Sequence, residues 1–176
     1  VEHRTVVDPT YGVYEITARN TKDDIHALEP NFDRLPQPLQ ALFLTMGTTP
    51  ERAAGAKPVL ASFGQIIKRL HDAGVPIVAG TDMGFPGSSL ARELELYVQA
   101  GLSPMEALQT ASIVPARVLQ LEDQTGSLDP GKQADLLILD GNPLQKISDL
   151  RRVRLVIKDG QVYEPAQMRA LADFGK

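Results

Sequence analysis

The sequence contains no cysteine. Disulfides and thiolate metal sites are therefore excluded, and redox chemistry says nothing about compartment. Histidine is scarce, with residues only at 3, 26 and 71. Their spacing is neither helical nor alternating, so a metal site made of histidines alone is not expected. No run approaches the roughly 18 consecutive apolar residues that a membrane span requires. A basic excess is missing as well. The net charge of -4 gives no concentrated basic face, so neither nucleic acid nor a membrane is an expected partner. The chain opens on Val1-Glu2-His3-Arg4, without a signal peptide, and the expected location is cytoplasmic. No internal repeat or low-complexity tract is present.

What remains is an ordinary globular balance: 176 residues, 43% hydrophobic and 23% charged, enough for one domain with a sizeable core. The most informative stretch is Gly74-Val75-Pro76-Ile77-Val78-Ala79-Gly80-Thr81-Asp82. An apolar run without alternation reads as a strand buried on both faces, as in a parallel sheet. Asp82 then sits at the C-terminal edge of that strand, where ligands collect in α/β folds.

The rest of the chain supplies the partners of such a strand. Residues 5–7 (Thr5-Val6-Val7) are β-rich and stop at Asp8-Pro9. Residues 11–16 are compatible with extended or helical chain. Residues 17–38 read as a polar, loop-rich insertion. Leu39, Leu42, Phe43 and Met46 recur at helical spacing before Gly47. Residues 48–57 read as a loop. An amphipathic helix follows, with Leu60, Phe63, Ile67 and Leu70 on one stripe, ending at Gly74. Past Asp82, Ser88 or Ser89 is the expected cap of a helix. That helix buries Leu90, Leu94, Tyr97 and Val98 and turns Arg92, Glu93, Glu95 and Gln99 outward. Ser103-Pro104-Met105-Glu106 predicts a capping box with proline at the first helical position. Val114-Pro115 is expected to break that helix, with a last short helix at 116–119. From Thr125 the texture changes to strands, at 126–128, 134–140, 153–157 and 162–163, with a tight hairpin at Asp159-Gly160. Glu164 onward reads as a terminal helix or tail. The cluster Arg151-Arg152-Val153-Arg154 reads as a solvated strand edge.

Several of these motifs, in order, resemble the metal-dependent amidohydrolases. Residues 77–82 look like the last barrel strand of that family, and Val7-Asp8-Pro9-Thr10 like the strand before it. Leu90-Ala91-Arg92-Glu93-Leu94-Glu95-Leu96 resembles the helix that follows the last strand. Residues 100–108 and 111–117 look like the next two helical blocks. Gly126-Ser127-Leu128-Asp129-Pro130-Gly131-Lys132-Gln133-Ala134-Asp135-Leu136 is similar to the C-terminal signature, and residues 156–162 to the closing hairpin. The branch resembled is the imidazolonepropionase-like and dipeptidase-like one.

The resemblance implies an α/β fold: the C-terminal part of a (β/α)8 TIM-type barrel over residues 1–124, part of a small antiparallel β-sandwich over 125–164, and a tail over 165–176. A full barrel of this class takes about 250 residues. The His-x-His pair, the bridging lysine and the other histidine strands have no match here, so the resemblance implies the C-terminal part of a longer enzyme. The reaction implied is hydrolysis of a C–N bond, in an amide, cyclic amide or peptide-like small molecule, by metal-activated water. Asp82 matches the proton-shuttling base and possible metal ligand. The cofactor implied is a divalent metal, zinc being the expectation, with most ligands absent from this chain. Gly84 and Phe85 would lie at the barrel mouth as substrate contacts, while Gly80 and Thr81 would shape the backbone. Ala91 stands where many relatives carry histidine.

Blander readings compete. An aspartate after a strand also serves as a helix cap or turn former. Ser88 and Ser89 read as caps, since no Gly-x-Ser-x-Gly elbow surrounds them. Asp135 reads as structural, His3 and His26 as surface, and His71 as compensating a helix dipole. Rival functions are a non-catalytic C-terminal module that is inactive alone and associates with another chain, and a compact non-enzymatic α/β domain. Unclosed barrel edges would favour pairing with a second copy, a homo-oligomer.

Overall fold

A computed structural model describes residues 5–82, 84–85 and 87–171. Val7 forms a parallel bridge with Ile77. Val7 N–H donates to the Pro76 carbonyl at 3.0 Å, and Val78 N–H donates to the Val7 carbonyl at 2.9 Å. The neighbouring Ala79 N–H faces away from Val7 and donates to the Thr110 carbonyl at 2.9 Å. The doubly buried strand expected at 75–79 is therefore reduced to a single bridge. Of that segment only Ile77, at 1% exposure, is fully buried. The reason is that one neighbour pairs with it, while a helix end occupies the other edge.

Seven helices surround or follow this bridge among the described residues: α1 (Tyr11–Ala18), α2 (Gln37–Thr45), α3 (Pro50–Asp72), α4 (Ser89–Gln99), α5 (Pro104–Thr110), α6 (Ile113–Val118) and α7 (Pro165–Leu171). The open reading of 11–16 resolves as helix. The loop expected at 48–57 is confined to its first two residues. Helix α3 starts at Pro50, because Thr49 accepts from Arg52 N–H at 3.5 Å and Pro50 brings a preset φ to the first turn. Pro58 lies inside the helix, on its exposed side. The capping box of α5 forms as expected. Glu106 Oε2 accepts from Ser103 N–H at 2.7 Å, and Ser103 Oγ accepts from Glu106 N–H at 3.3 Å. Pro115 does not end that helix. The chain bends at Ala111 and Ser112, and Pro115 falls in the first turn of α6, where its missing N–H has no partner to lose.

Helix α4 corrects a second expectation. Glu93 and Glu95 are buried beside Leu94, Leu96 and Tyr97, while Leu90 is exposed. The helix is packed against α1, α3, α5 and the 3₁₀ turn Ile147–Arg151, so its middle residues, 93–97, are buried in succession. Ser88 and Ser89 make no side-chain cap; Ser89 Oγ donates to the Phe85 carbonyl at 2.8 Å instead.

The last third carries a three-stranded antiparallel sheet, β1 (Leu136–Leu139), β2 (Val153–Lys158) and β3 (Gln161–Tyr163), in the order β1-β2-β3. Leu136 pairs with Ile157, and Val156 pairs with Tyr163. Asp159 and Gly160, at φ 50° and 76°, make the hairpin turn as expected. No strand forms at 126–128. Gly126 takes φ 89° against α6, and Leu128 is 83% exposed.

Two apolar clusters hold the fold. One joins Tyr11, Ile67, Ile77, Leu94, Leu96 and Tyr97. The other joins Ile16, Ile25, Phe32, Leu35, Phe43 and Phe85, and gives the polar insertion its own core. No helix among the described residues is long and apolar enough to cross a membrane.

Candidate active site

Asp82 ends the segment that carries the bridge. It is exposed and sits at φ 45°, in the left-handed region that aspartate tolerates better than most residues. The backbone before it is held from the neighbouring segment. Gly80 N–H donates to Asp8 Oδ1 at 3.0 Å. A Cβ at Gly80 would collide with the Asp8 carboxylate, so only glycine permits this approach. After Asp82, the Gly84 backbone is half-buried, and a Cβ there would run into the Ser89 side chain. Phe85 is 2% exposed, its ring centroid 4.4 Å from Phe43 and 6.1 Å from Phe32. Phe85 thus anchors the loop in the second core. Its ring is placed inside the protein, away from the surface where a substrate contact was expected.

Beneath the corner lies a buried carboxylate that periodicity had turned outward. Glu93 accepts from Tyr11 N–H at 2.8 Å and from Gly12 N–H at 2.6 Å. These are the first amides of α1, whose own N-cap, Thr10, makes no side-chain cap and sits at φ 44°. Glu93 therefore caps a helix from 82 residues away. Burial pushes its carboxyl upward, and the bonds from Gly12 and Tyr11 pull against that. Tyr97 is fully buried, and burial with the nearby Glu93 raises its phenol far above the ordinary value. Thr81, Gly84, Phe85, Arg92 and Glu93 line a cleft of about 10 Å³, the size of one water.

Around this floor runs an ion-pair chain. Arg92 donates to Glu15 at 2.7 and 2.6 Å and to Glu95 at 3.1 Å. Arg151 donates to Glu95 at 2.7 Å and to Glu29 at 2.8 Å. Glu29 is 1% exposed. The guanidiniums of Arg92 and Arg151 lose water on burial, yet the carboxylates hold both above the usual arginine value. The solvated edge expected at 151–154 is thus wrong for Arg151, which is drawn inward by two acids. Arg152 remains largely exposed.

The histidines stay apart. His3 lies outside the described residues. His26 bonds Asp24 at 2.7 Å and Asp33 at 3.1 Å, and these acids raise its pKa. His71 lies at the end of α3, beside a cavity of about 620 Å³ that opens at the other end of the bridge segment, along Gly74–Ile77. Among the described residues no group of three or more His, Cys, Asp or Glu is placed to hold a metal ion. Asp135 is structural as expected, accepting from Asp159 N–H at 2.9 Å and Lys158 at 2.9 Å.

The chain has known relatives. The model of the Amidohydrolase family matches residues 22–163. The chain belongs to the amidohydrolase family. It is 34% identical over 111 residues to the imidazolonepropionase of Geobacillus kaustophilus (strain HTA426), covering 54% of this chain and 26% of that protein. It is 36% identical over 97 residues to the ochratoxinase of Aspergillus niger, covering 52% of this chain and 20% of that protein. Among solved amidohydrolase-like structures, a Xaa-Pro dipeptidase with methionine bound in its active site superposes with TM-score 0.65 at 31% identity. That match covers 93% of this chain and 35% of the dipeptidase. The chain thus spans about a fifth to a third of the length of these relatives. The α/β character and the imidazolonepropionase-like, dipeptidase-like affinity agree with the sequence motifs.

The contacts around the corner bring in residues that sequence patterning does not single out. Asp8, Glu93, Glu95, Arg92 and Arg151 organise the corner, and none was singled out as functional. The available signal is Leu94-Glu95-Leu96-Tyr97-Val98, apolar around one helix, which leaves no solvent face for Glu95.

Proposed function

We propose that the chain is the C-terminal part of a C–N hydrolase, with residues 1–124 contributing the last units of a (β/α)8 barrel and 125–164 part of a β-sandwich. The substrate class is an amide, cyclic amide or peptide-like small molecule. Asp82 is the proton shuttle: its carboxylate takes a proton from the attacking water and passes it to the leaving amine. Gly84 leaves the backbone open at the mouth of the site, and Phe85 fixes that loop from below. The observation that carries this reading is Asp82 itself, exposed at the end of a parallel pairing and held by the Asp8–Gly80 bond.

The described residues do not fit a metal by themselves. Asp82 offers one carboxylate, and a divalent ion such as zinc needs several donors. The metal dependence implied by the family therefore rests on ligands outside the described residues, and the ion has no part in the steps above. The same observation favours a second reading, a module inactive alone that works with another chain.

The test is hydrolysis of a panel of dipeptides and N-acyl amino acids by the longest natural product containing this sequence, beside the 176-residue chain. Asp82→Asn is expected to lower kcat by about 100-fold or more, with KM little changed. Full activity in that variant would remove Asp82 from the chemistry. Activity in the shorter chain alone would remove the second reading.

A further inference from the structure

The Asp8–Gly80 contact is more than a turn. Asp8 precedes Pro9, which already ends the extended segment, so strand termination does not require a carboxylate there. Instead the side chain reaches across the bridge between Val7 and Ile77 and takes the amide of Gly80 at 3.0 Å. The approach is possible only because position 80 lacks a Cβ. Two residues later the chain enters the left-handed conformation at Asp82. Backbone geometry at 80 therefore sets where the Asp82 carboxylate starts from.

We propose that Asp8 is a positioning residue for Asp82. It holds the Gly80 peptide, and through it fixes the direction of the carboxylate two residues on. The proposal rests on the reading of Asp82 as the proton shuttle. What Asp8 supplies is an acceptor in a fixed place, so asparagine, which keeps a carbonyl oxygen at that position, preserves most of the effect, and alanine does not.

The experiment has two arms. In the 176-residue chain, amide NMR spectra of the wild type and the Asp8 variants are compared. The Gly80 amide proton is expected to move clearly in Asp8→Ala, which removes its acceptor, and little in Asp8→Asn. The Asp82 amide resonance is expected to move clearly in Asp8→Ala and little in Asp8→Asn. A Gly80 amide blind to Asp8, or an Asp82 resonance unchanged in Asp8→Ala, overturns the proposal. In the active full-length protein, Asp8→Ala is expected to lower kcat about 10-fold or more with KM within about twofold, and Asp8→Asn to restore most of it. An asparagine variant as impaired as the alanine one means that the charge acts directly, and the positioning role falls. If Asp82→Asn leaves activity intact, the proton-shuttle reading falls, while the Gly80 amide resonance still reports the clamp. Circular dichroism and thermal unfolding separate misfolded variants, and Asp8→Asn, nearly isosteric, keeps both arms informative.

Discussion

Glu93 shows how one side chain can bind two distant parts of a chain. Both of its oxygens accept backbone N–H groups at the start of α1, an end that has no side-chain cap of its own. Glutamine would place an NH₂ against one of those donors. Glu93→Gln is expected to lose about 1–3 kcal/mol of stability, the cost of a buried donor left unpaired, measured by urea unfolding. The pH dependence has a definite sign. Burial raises the Glu93 carboxyl above its unfolded value, so its contribution is most favourable below that unfolded value and is lost as pH rises through the folded one. His26 behaves in the opposite chemical sense with a similar direction. Asp24 and Asp33 raise its pKa, so its stabilising charge is complete below the unfolded histidine value and disappears as pH rises through the folded value. An NMR titration of the His26 ring is expected to give a midpoint above 6.5, the ordinary histidine value. Asp24→Asn should bring it down.

Among the elements, α3 is the one whose sequence and conformation disagree. Pro50, Gly55 and Pro58 break its first half as a pattern, yet 23 residues run helical from Pro50 to Asp72. Pro50 helps at the first turn; Pro58 costs the helix a hydrogen bond in its interior. Pro58 is exposed, and its ring holds no place in either apolar cluster. Pro58→Ala is expected to stabilise the protein by about 1–3 kcal/mol, read as a higher urea midpoint at unchanged slope. The same helix explains part of what the sequence leaves illegible. The stripe Leu60, Phe63, Ile67 and Leu70 is visible because its periodicity is intact, and it does pack against the core. The first turns are invisible because a capping threonine and a preset proline overrode the local breakers. The hairpin at Asp159-Gly160 and the capping box at Ser103 are legible for the converse reason: their chemistry is local and needs no partner elsewhere. Asp8 and Glu93 are not, since each acts on a backbone amide more than 70 residues away in sequence.

Across the whole molecule, the ion-pair chain ties together segments far apart in sequence. Arg151 reaches Glu29, 122 residues earlier in sequence, and Glu95 on α4, and through Glu95 it joins Arg92 and Glu15 on α1. The polar insertion, the helix under the Asp82 corner and the turn before β2 are therefore fixed to one another by one guanidinium. Its side chain is only 10% exposed, as are its partners at 1% and 11%, so solvent screens the pairs weakly. Removing the cation leaves Glu29 buried without its charged partner, while Glu95 keeps Arg92. Arg151→Ala is expected to cost about 3–5 kcal/mol, well above the loss from an exposed pair. The methionine variant separates charge from volume: it fills the space and still leaves Glu29 unpaired, so it should be nearly as damaging. Triple replacement of Arg151, Glu29 and Glu95 by apolar residues of similar size should recover much of the loss, because the desolvation cost leaves with the charges. Hydrogen exchange by mass spectrometry gives the spatial check. In Arg151→Ala the segment 20–35 is expected to exchange faster, whereas β2 and β3 keep their protection through their own ladder. Faster exchange confined to the sheet would place the tie in the wrong part of the molecule.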